Sequence, residues 1–240
     1  MELNRNTEVE SLQVSPPDAK PLLYAGAVEK AQISIYNEDC LQALKAMADK
    51  QFDLAIVDPP YGNNDAIGLV DNASGRKQKT KRTNYKVFEN VAPTDEYWHE
   101  LMRVSKNQIV WGANFFGLKG GYICWNKYGT AFGQAELAYC SKINSVRVFE
   151  YTWNGMLQEN MKAKEIRIHP TQKPIALYKW LLSEFAKDGD KILDTHLGSG
   201  SIAIACWDMG YDLTAYEVDK EYYDNACKRL ETHKAQLTLW

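Results

Sequence analysis

From Ile33 onward the chain alternates between two apolar patterns. Short, nearly continuous runs read as buried strands, first Ile33-Ser34-Ile35-Tyr36 and then residues 53–57. Between them Leu41, Leu44 and Ala48 recur at helical spacing. Residues 94–105 predict a second helix, capped by Thr94, with Tyr97, Trp98, Leu101 and Met102 as its apolar face. Residues 108–111 predict a strand. Further strand-like segments stand at 122–125, 136–140 and 146–153, with short turns between them. A helix over 174–185 opens on Pro174. Then come a strand at 191–194, a helix at 201–209, a strand at 212–216 and a helix at 220–233. Strand and helix alternate at both ends of the chain. The expectation is an α/β protein, doubly wound, with a mostly parallel sheet, helices on both faces and an antiparallel edge hairpin in the middle segments.

The first thirty residues do not share this pattern. They are polar, with a Pro16-Pro17 pair, and read as a weakly ordered arm preceding one domain over 31–240. At 240 residues that domain can bury a substantial core. The net charge of -3 supplies no global basic field, so any nucleic-acid surface must be local. One candidate lies in a mobile basic loop predicted over 62–93: Arg76, Lys77, Lys79, Lys81, Arg82 and Lys86, which read either as phosphate contacts or as a solvated loop. Lys162, Lys164 and Arg167 form a weaker second patch. The five cysteines lack metal-ligand spacing and read as reduced residues. No membrane span or signal-peptide pattern is evident, so the expected residence is cytoplasmic.

Three segments carry chemistry. Asp58-Pro59-Pro60-Tyr61 ends the apolar run Leu54-Ala55-Ile56-Val57 and sets a carboxylate, a rigid turn and an aromatic ring at one point. That combination suits a flat molecule bearing an exocyclic amine. Asp194-Thr195-His196-Leu197-Gly198-Ser199-Gly200-Ser201 lies between a strand and a helix, where two glycines let the backbone approach a ligand. Glu217 ends the next strand, placed to accept hydrogen bonds from ribose hydroxyls. Nicotinamide oxidoreductases use the same logic, but Ala203 stands where the dinucleotide pattern has its third glycine. Finally His169-Pro170-Thr171-Gln172-Lys173-Pro174 enters a helix and offers a hydroxyl and a cation.

Together these segments resemble the amino-methyltransferases of DNA, in the permuted order called the beta group, and the small phage-type members in particular. The catalytic Asp-Pro-Pro-Tyr comes first, the glycine turn last, and His-Pro-Thr-Gln-Lys-Pro precedes the latter. Asn37 to Leu41 with Phe52 to Asp58, Ile109 to Phe115, and Glu136 to Tyr139 are similar to further stretches of that family, so the resemblance runs from about Ile33 onward. It implies a seven-stranded sheet binding S-adenosylmethionine and methyl transfer to the N6 amine of a flipped adenine in double-stranded DNA. Asp58, Pro59, Pro60 and Tyr61 would meet the base. Asp194, Gly198, Ser199 and Gly200 would line the cofactor turn. Glu217 would hold the ribose, Asp39 would lie near the adenine end, and Thr171 and Lys173 would flank the methionine end. It also raises two partners, a second copy of the chain and a cognate restriction nuclease, and a bacterial or phage-infected cell as the setting. Cytosine-N4 transfer and a non-catalytic DNA-binding subunit are the competing readings. Asp at the first position of the tetrapeptide favours adenine, and the intact tetrapeptide argues for catalysis. The chain departs from the family twice. Thr195-His196 replaces the usual Pro-Phe, and only residues 153–168 are available as a target-recognition segment, which predicts a short or relaxed recognition sequence.

Overall fold

Strands buried on both faces have no polar side to show, which is why β2 (Phe52–Val57), the Ile109–Trp111 end of β3 (Ser105–Trp111) and the centre of β7 (Lys191–Asp194) are apolar runs, while β1 (Ile33–Tyr36) and β8 (Asp212–Tyr216) admit polar residues where they are less buried. The computed structural model describes residues 31–62, 90–128, 133–153 and 157–237. The expected arm at 1–30 and the basic residues Arg76, Lys77, Lys79, Lys81, Arg82 and Lys86 lie outside them. The remaining strands are β4 (Gly121–Asn126), β5 (Ala135–Cys140) and β6 (Val146–Glu150). The helices are α1 (Cys40–Ala46), α2 (Asp95–Val104), α3 (Ala113–Phe116), α4 (Ile175–Phe185), α5 (Ser201–Met209) and α6 (Lys220–Leu237).

The strand order is β1-β8-β7-β2-β3-β5-β4-β6. Every pairing is parallel except those made by β5. This corrects the expected sheet in two respects. The sheet has eight strands and not seven, and its edge is not the hairpin itself. β6 pairs beyond the β4–β5 hairpin, parallel to β4. It stops at Glu150, because Trp153 turns away to bridge Gln158.

Alternate residues of β2 divide the core. Leu54 and Ile56 pack with Ile109, Trp111 and the α4 residues Leu177, Leu181 and Leu182 on one face. Ala55 and Val57 pack with Val110, Leu193, Leu44 of α1, and Tyr97, Leu101 and Val104 of α2 on the other. Each large apolar side chain so buried contributes about 1.5–3 kcal/mol. As the sequence predicts, Thr94 caps α2, its Oγ1 accepting from Tyr97 N at 3.4 Å.

β2 and β7 are neighbours, with Leu54 opposite Ile192 and Ala55 opposite Leu193. From β7 the chain proceeds through α5 to β8 on one side; from β2 it proceeds to α2 and β3 on the other. Strand order therefore reverses between β7 and β2, and in open α/β sheets the carboxyl ends of strands at such a point are where ligands bind. Among the described residues no helix is long and apolar enough to cross a membrane.

Candidate active site

The carboxylate that ends β2 is held from two sides. Asp58 Oδ1 accepts the Tyr61 hydroxyl at 2.7 Å, and Oδ2 pairs with the Lys173 ammonium. Burial and the nearby Asp58 charge push the Tyr61 phenol well above its ordinary value, so it stays a donor. The Tyr61 ring stacks on Phe115, centroids 4.9 Å apart and planes 18° from parallel, with the edge of Phe116 at 5.9 Å. Gly112 makes this placement possible. A Cβ there would stand 2.3 Å from Tyr61 Cε1, and its φ of 75° suits glycine.

Lys173 is only 3% exposed and pairs with two carboxylates, Asp58 and also Glu136, whose Oε2 is at 3.2 Å. Glu136 Oε1 in turn pairs with Lys127. Each ammonium sits over an indole: Lys173 5.1 Å from the Trp111 ring, Lys127 4.5 Å from the Trp125 ring. The two indoles meet edge to face at 6.3 Å. Strand register explains the grouping, since Glu136 of β5 lies directly opposite Trp125 of β4, and Ala138 opposite both Ile123 and Trp111. Burial penalises the Glu136 carboxylate, but the charges of Lys173 and Lys127 outweigh it and hold the group down to about 2. Burial likewise disfavours the Lys173 ammonium, and Asp58 and Glu136 reverse the effect, raising its pKa.

At the end of β7 the electrostatics are opposite. Asp194 is 2% exposed and has no cation paired with it among the described residues; Oδ1 accepts the His196 amide at 3.0 Å. Burial raises its carboxyl to about 8, with Asp58 and Glu217 adding repulsion. The following turn brings Gly198 (φ 54°) and Gly200 (φ 72°) to the start of α5, which has no side-chain cap. Glu217 crosses from β8 to brace the turn, Oε2 accepting Gly198 N at 2.8 Å and Oε1 accepting Asp219 N at 2.9 Å. Arg229 of α6 braces the other side. Its Nη1 donates to Ser199 O and to Ser201 Oγ, both at 2.9 Å, and its Nη2 to Glu165 Oε2 at 2.6 Å.

Thr195 and His196, the departure from the usual Pro-Phe, form a polar chain. Thr195 Oγ1 lies 2.7 Å from the buried Tyr97 hydroxyl and 2.9 Å from His196 Nδ1. Burial lowers His196 to about 4, with Asp39 opposing. The imidazole is therefore neutral near pH 7.

The comparisons with known proteins identify the family. Residues 76–228 match the N6/N4 DNA methyltransferase family, described as DNA methylase. The chain belongs to this family. It is 30% identical to the type II methyltransferase M.HpaI of Haemophilus parainfluenzae over 81% of this chain and 73% of that one. M2.DpnII of Streptococcus pneumoniae is 21% identical over 84% and 91%, and M.HinfI of Haemophilus influenzae 26% over 84% and 69%. Solved structures share the fold. The cytosine-N4-specific PvuII DNA methyltransferase superposes with a TM-score of 0.55 over 86% of this chain and 91% of that one, at 11% identity. The M1.HpyAVI–SAM complex gives 0.51 over 83% and 100%, at 19% identity.

Within this DNA methylase the structure brings Asp58, Pro59, Pro60 and Tyr61 to one end of β2, beside Asp194, Gly198, Ser199 and Gly200 at the end of β7 and Glu217 at the end of β8. Asp39 caps α1, Oδ1 accepting Leu41 N at 2.8 Å, and lies close enough to act on His196. Thr171 Oγ1 is engaged with His169 Nδ1 at 3.1 Å. Lys173, expected beside the methionine end of the cofactor, commits its ammonium to Asp58 and Glu136. The sequence reading gave no role to Glu136, Lys127, Trp111, Gly112 or Arg229. For Glu136 a signal exists: it is the one residue charged at neutral pH in the strand Ala135–Cys140.

Proposed function

We propose that this protein methylates the N6 amine of adenine in double-stranded DNA, using S-adenosylmethionine. The observation that carries the reading is the adjacency of the Asp58 turn and the Asp194 glycine turn on neighbouring parallel strands. A methyl donor held at one turn would stand beside an amine held at the other.

The residues fit such a cofactor. Burial, with added repulsion from Asp58 and Glu217, pushes Asp194 up to about 8, and a cation beside it would favour its ionised form. Each Glu217 oxygen accepts one backbone amide and retains lone-pair capacity for a ribose hydroxyl. The uncapped start of α5 leaves amide donors facing the glycine turn. Ser199 and Thr171 supply hydroxyls for the methionine end, and Asp39 stands at the adenine end. When bound, the sulfonium supplies an electrophilic methyl carbon.

The remaining chemistry belongs to the protein. An exocyclic amine is a poor nucleophile because its lone pair is delocalised into the ring. Asp58 accepts one amine hydrogen, and the Pro59 carbonyl, aimed outward by the rigid turn, accepts the other. Both bonds draw the nitrogen toward tetrahedral geometry. The nitrogen–carbon bond forms as the carbon–sulfur bond breaks. The nitrogen then sheds one proton to Asp58, and from there to water. Rate comes from positioning and electrostatics, with no covalent enzyme intermediate. Before this the base must leave the duplex, at about a few kcal/mol. Stacking on aromatic rings offsets about 1–3 kcal/mol, and Tyr61 and Phe115 are the rings at hand.

Asp58 at the head of the tetrapeptide is what favours adenine over cytosine. Incubation with unmethylated DNA and S-adenosylmethionine, followed by nucleoside mass spectrometry, should yield N6-methyladenine. N4-methylcytosine in its place would overturn the base assignment. Neutralising Arg76, Lys77, Lys79, Lys81 and Arg82 together should flatten the salt dependence of DNA binding. An unchanged slope would remove that segment from the DNA-binding surface.

A further inference from the structure

We propose that Glu136 is a positioning residue for methyl transfer, acting on Asp58 through Lys173 by drawing part of the lysine's charge away from the carboxylate that must accept the amine hydrogen. The proposal rests on the functional reading above and assigns a role within that site.

The argument starts from the position of the Lys173 ammonium. It cannot follow Asp58 freely, because three elements fix it. Asp58 meets it from the turn after β2, Glu136 from β5 at 3.2 Å, and the Trp111 indole from β3 at 5.1 Å. Other charges reach the same region. Asp194 lies across at β7, and the Tyr178 phenol of α4 stays protonated because burial and the charges of Asp194, Asp58 and Glu136 raise it. His169 is held neutral at about 4 by burial and by the charges of Lys173 and Arg167.

A lone buried lysine against Asp58 would form a closed pair. Asp58 would then be a weak acceptor, since its charge is satisfied before substrate arrives. Glu136 prevents this. A lysine ammonium has three hydrogens to donate, and the second carboxylate takes one of them. Lys127 then tunes Glu136, its ammonium held over Trp125 as Lys173 is over Trp111. The result is a row of alternating charges, Asp58, Lys173, Glu136 and Lys127, in which each inner member is shared. Fixed charges in a poorly hydrated site act more strongly on Asp58 than they would in water.

Two substitutions move the site in opposite directions. Glu136→Gln removes a negative charge, which leaves Lys173 to pair with Asp58 alone and lowers the lysine's pKa. Lys127→Met removes a positive charge beside Glu136, which strengthens the hold of Glu136 on Lys173 and raises the lysine's pKa. Single-turnover transfer at saturating DNA and cofactor, measured across pH, reads this directly. For Glu136→Gln the rate should fall between about tenfold and a hundredfold, with the alkaline limb of the pH–rate profile, where Lys173 loses its proton, displaced to lower pH. For Lys127→Met that limb should move to higher pH. Glu136→Asp should recover part of the lost rate. Cofactor affinity by calorimetry should stay near the wild-type value in all three.

A purely structural role would reduce the rate without displacing the alkaline limb, and that result overturns the proposal. So does a wild-type profile in Glu136→Gln. Should Glu136→Gln fail to fold, the Lys127→Met profile decides, and an unmoved profile there also overturns it. Wild-type protein that transfers no methyl group to DNA would instead overturn the functional reading, so the two failures are distinguishable.

Discussion

Both oxygens of Asp58 are engaged, and two partners of different chemistry engage them. Tyr61 donates a neutral hydroxyl to Oδ1, and Lys173 a charged ammonium to Oδ2. Each oxygen still has a lone pair for an incoming amine. Asp58→Ala should therefore reduce transfer by about a thousandfold or more while cofactor binding largely survives, because Glu136 remains to neutralise Lys173. Filter-bound methyl transfer beside cofactor calorimetry checks both halves. Gly112 is a second residue on which Tyr61 depends. Gly112→Ala drives a methyl group into the Tyr61 ring and strains a backbone at φ 75°. A cost of about 1–3 kcal/mol in urea denaturation is expected, with transfer lost because Tyr61 must leave Asp58. The chain-specific Thr195-His196 pair yields a milder test. Tyr97→Phe takes the buried hydroxyl from Thr195 and should cost about 0.5–1.5 kcal/mol. An unchanged urea midpoint would show that Thr195 finds another partner.

At the scale of elements, the segment between β6 and α4 is tied to the glycine turn through α6. Glu165 accepts Arg229 through Oε2 and Ile175 N through Oε1 at 3.0 Å, while Arg229 also holds Ser199 and Ser201. Burial moves Glu165 up and Arg229 down, each toward its neutral form, so desolvation of the pair is costly and its hydrogen bonds are what retain it. Glu165→Ala leaves Arg229 poorly compensated. Destabilisation toward the lower end of about 3–5 kcal/mol is expected, together with weaker cofactor binding as the Ser199 turn loosens. The element boundaries themselves were largely legible in the sequence, because parallel strands and capped helices follow from local pattern. α2 begins after Thr94, α4 after Pro174, and β7 and β8 fall where the apolar runs stand. β6 was legible as a strand but not as a parallel neighbour of β4, since pairing direction is a tertiary property. Of the site, Asp58, the glycines and Glu217 announced themselves by motif. Glu136 and Lys127 did not: their role arises from strand register across β4 and β5, which no local spacing encodes. Lys173 was found by motif and given a different partner, for the same reason.

For the whole molecule, His169, His196 and Asp194 are buried groups whose large shifts bear on how stability changes between about pH 4 and 8, and they do not all pull one way. His169 and His196 are lowered from 6.5 to about 4, chiefly by burial. A depressed folded-state value gives stability that is present above the unfolded value and lost as pH falls through the folded one. These two therefore weaken the fold as pH drops from about 6.5 to about 4. Asp194 has the reverse sign. It is raised from 3.8 to about 8, again chiefly by burial, so its contribution is complete below 3.8 and is lost as pH rises through 8. Between about 4 and 6.5 two groups oppose one and stability rises; above 6.5 Asp194 alone acts among the three and stability declines. Urea midpoints across this range should peak near pH 6.5, and Asp194→Asn should flatten the decline above it. A midpoint that keeps rising to pH 8 in the wild-type chain would refute the buried Asp194 carboxyl as its cause. The same group links stability to the cofactor. A cation next to Asp194 favours its ionised form, so binding below pH 8 must release a proton and must tighten as pH rises from about 6 to about 8. Calorimetry in two buffers of different ionisation heat should detect that proton in the wild type and find it absent in Asp194→Asn.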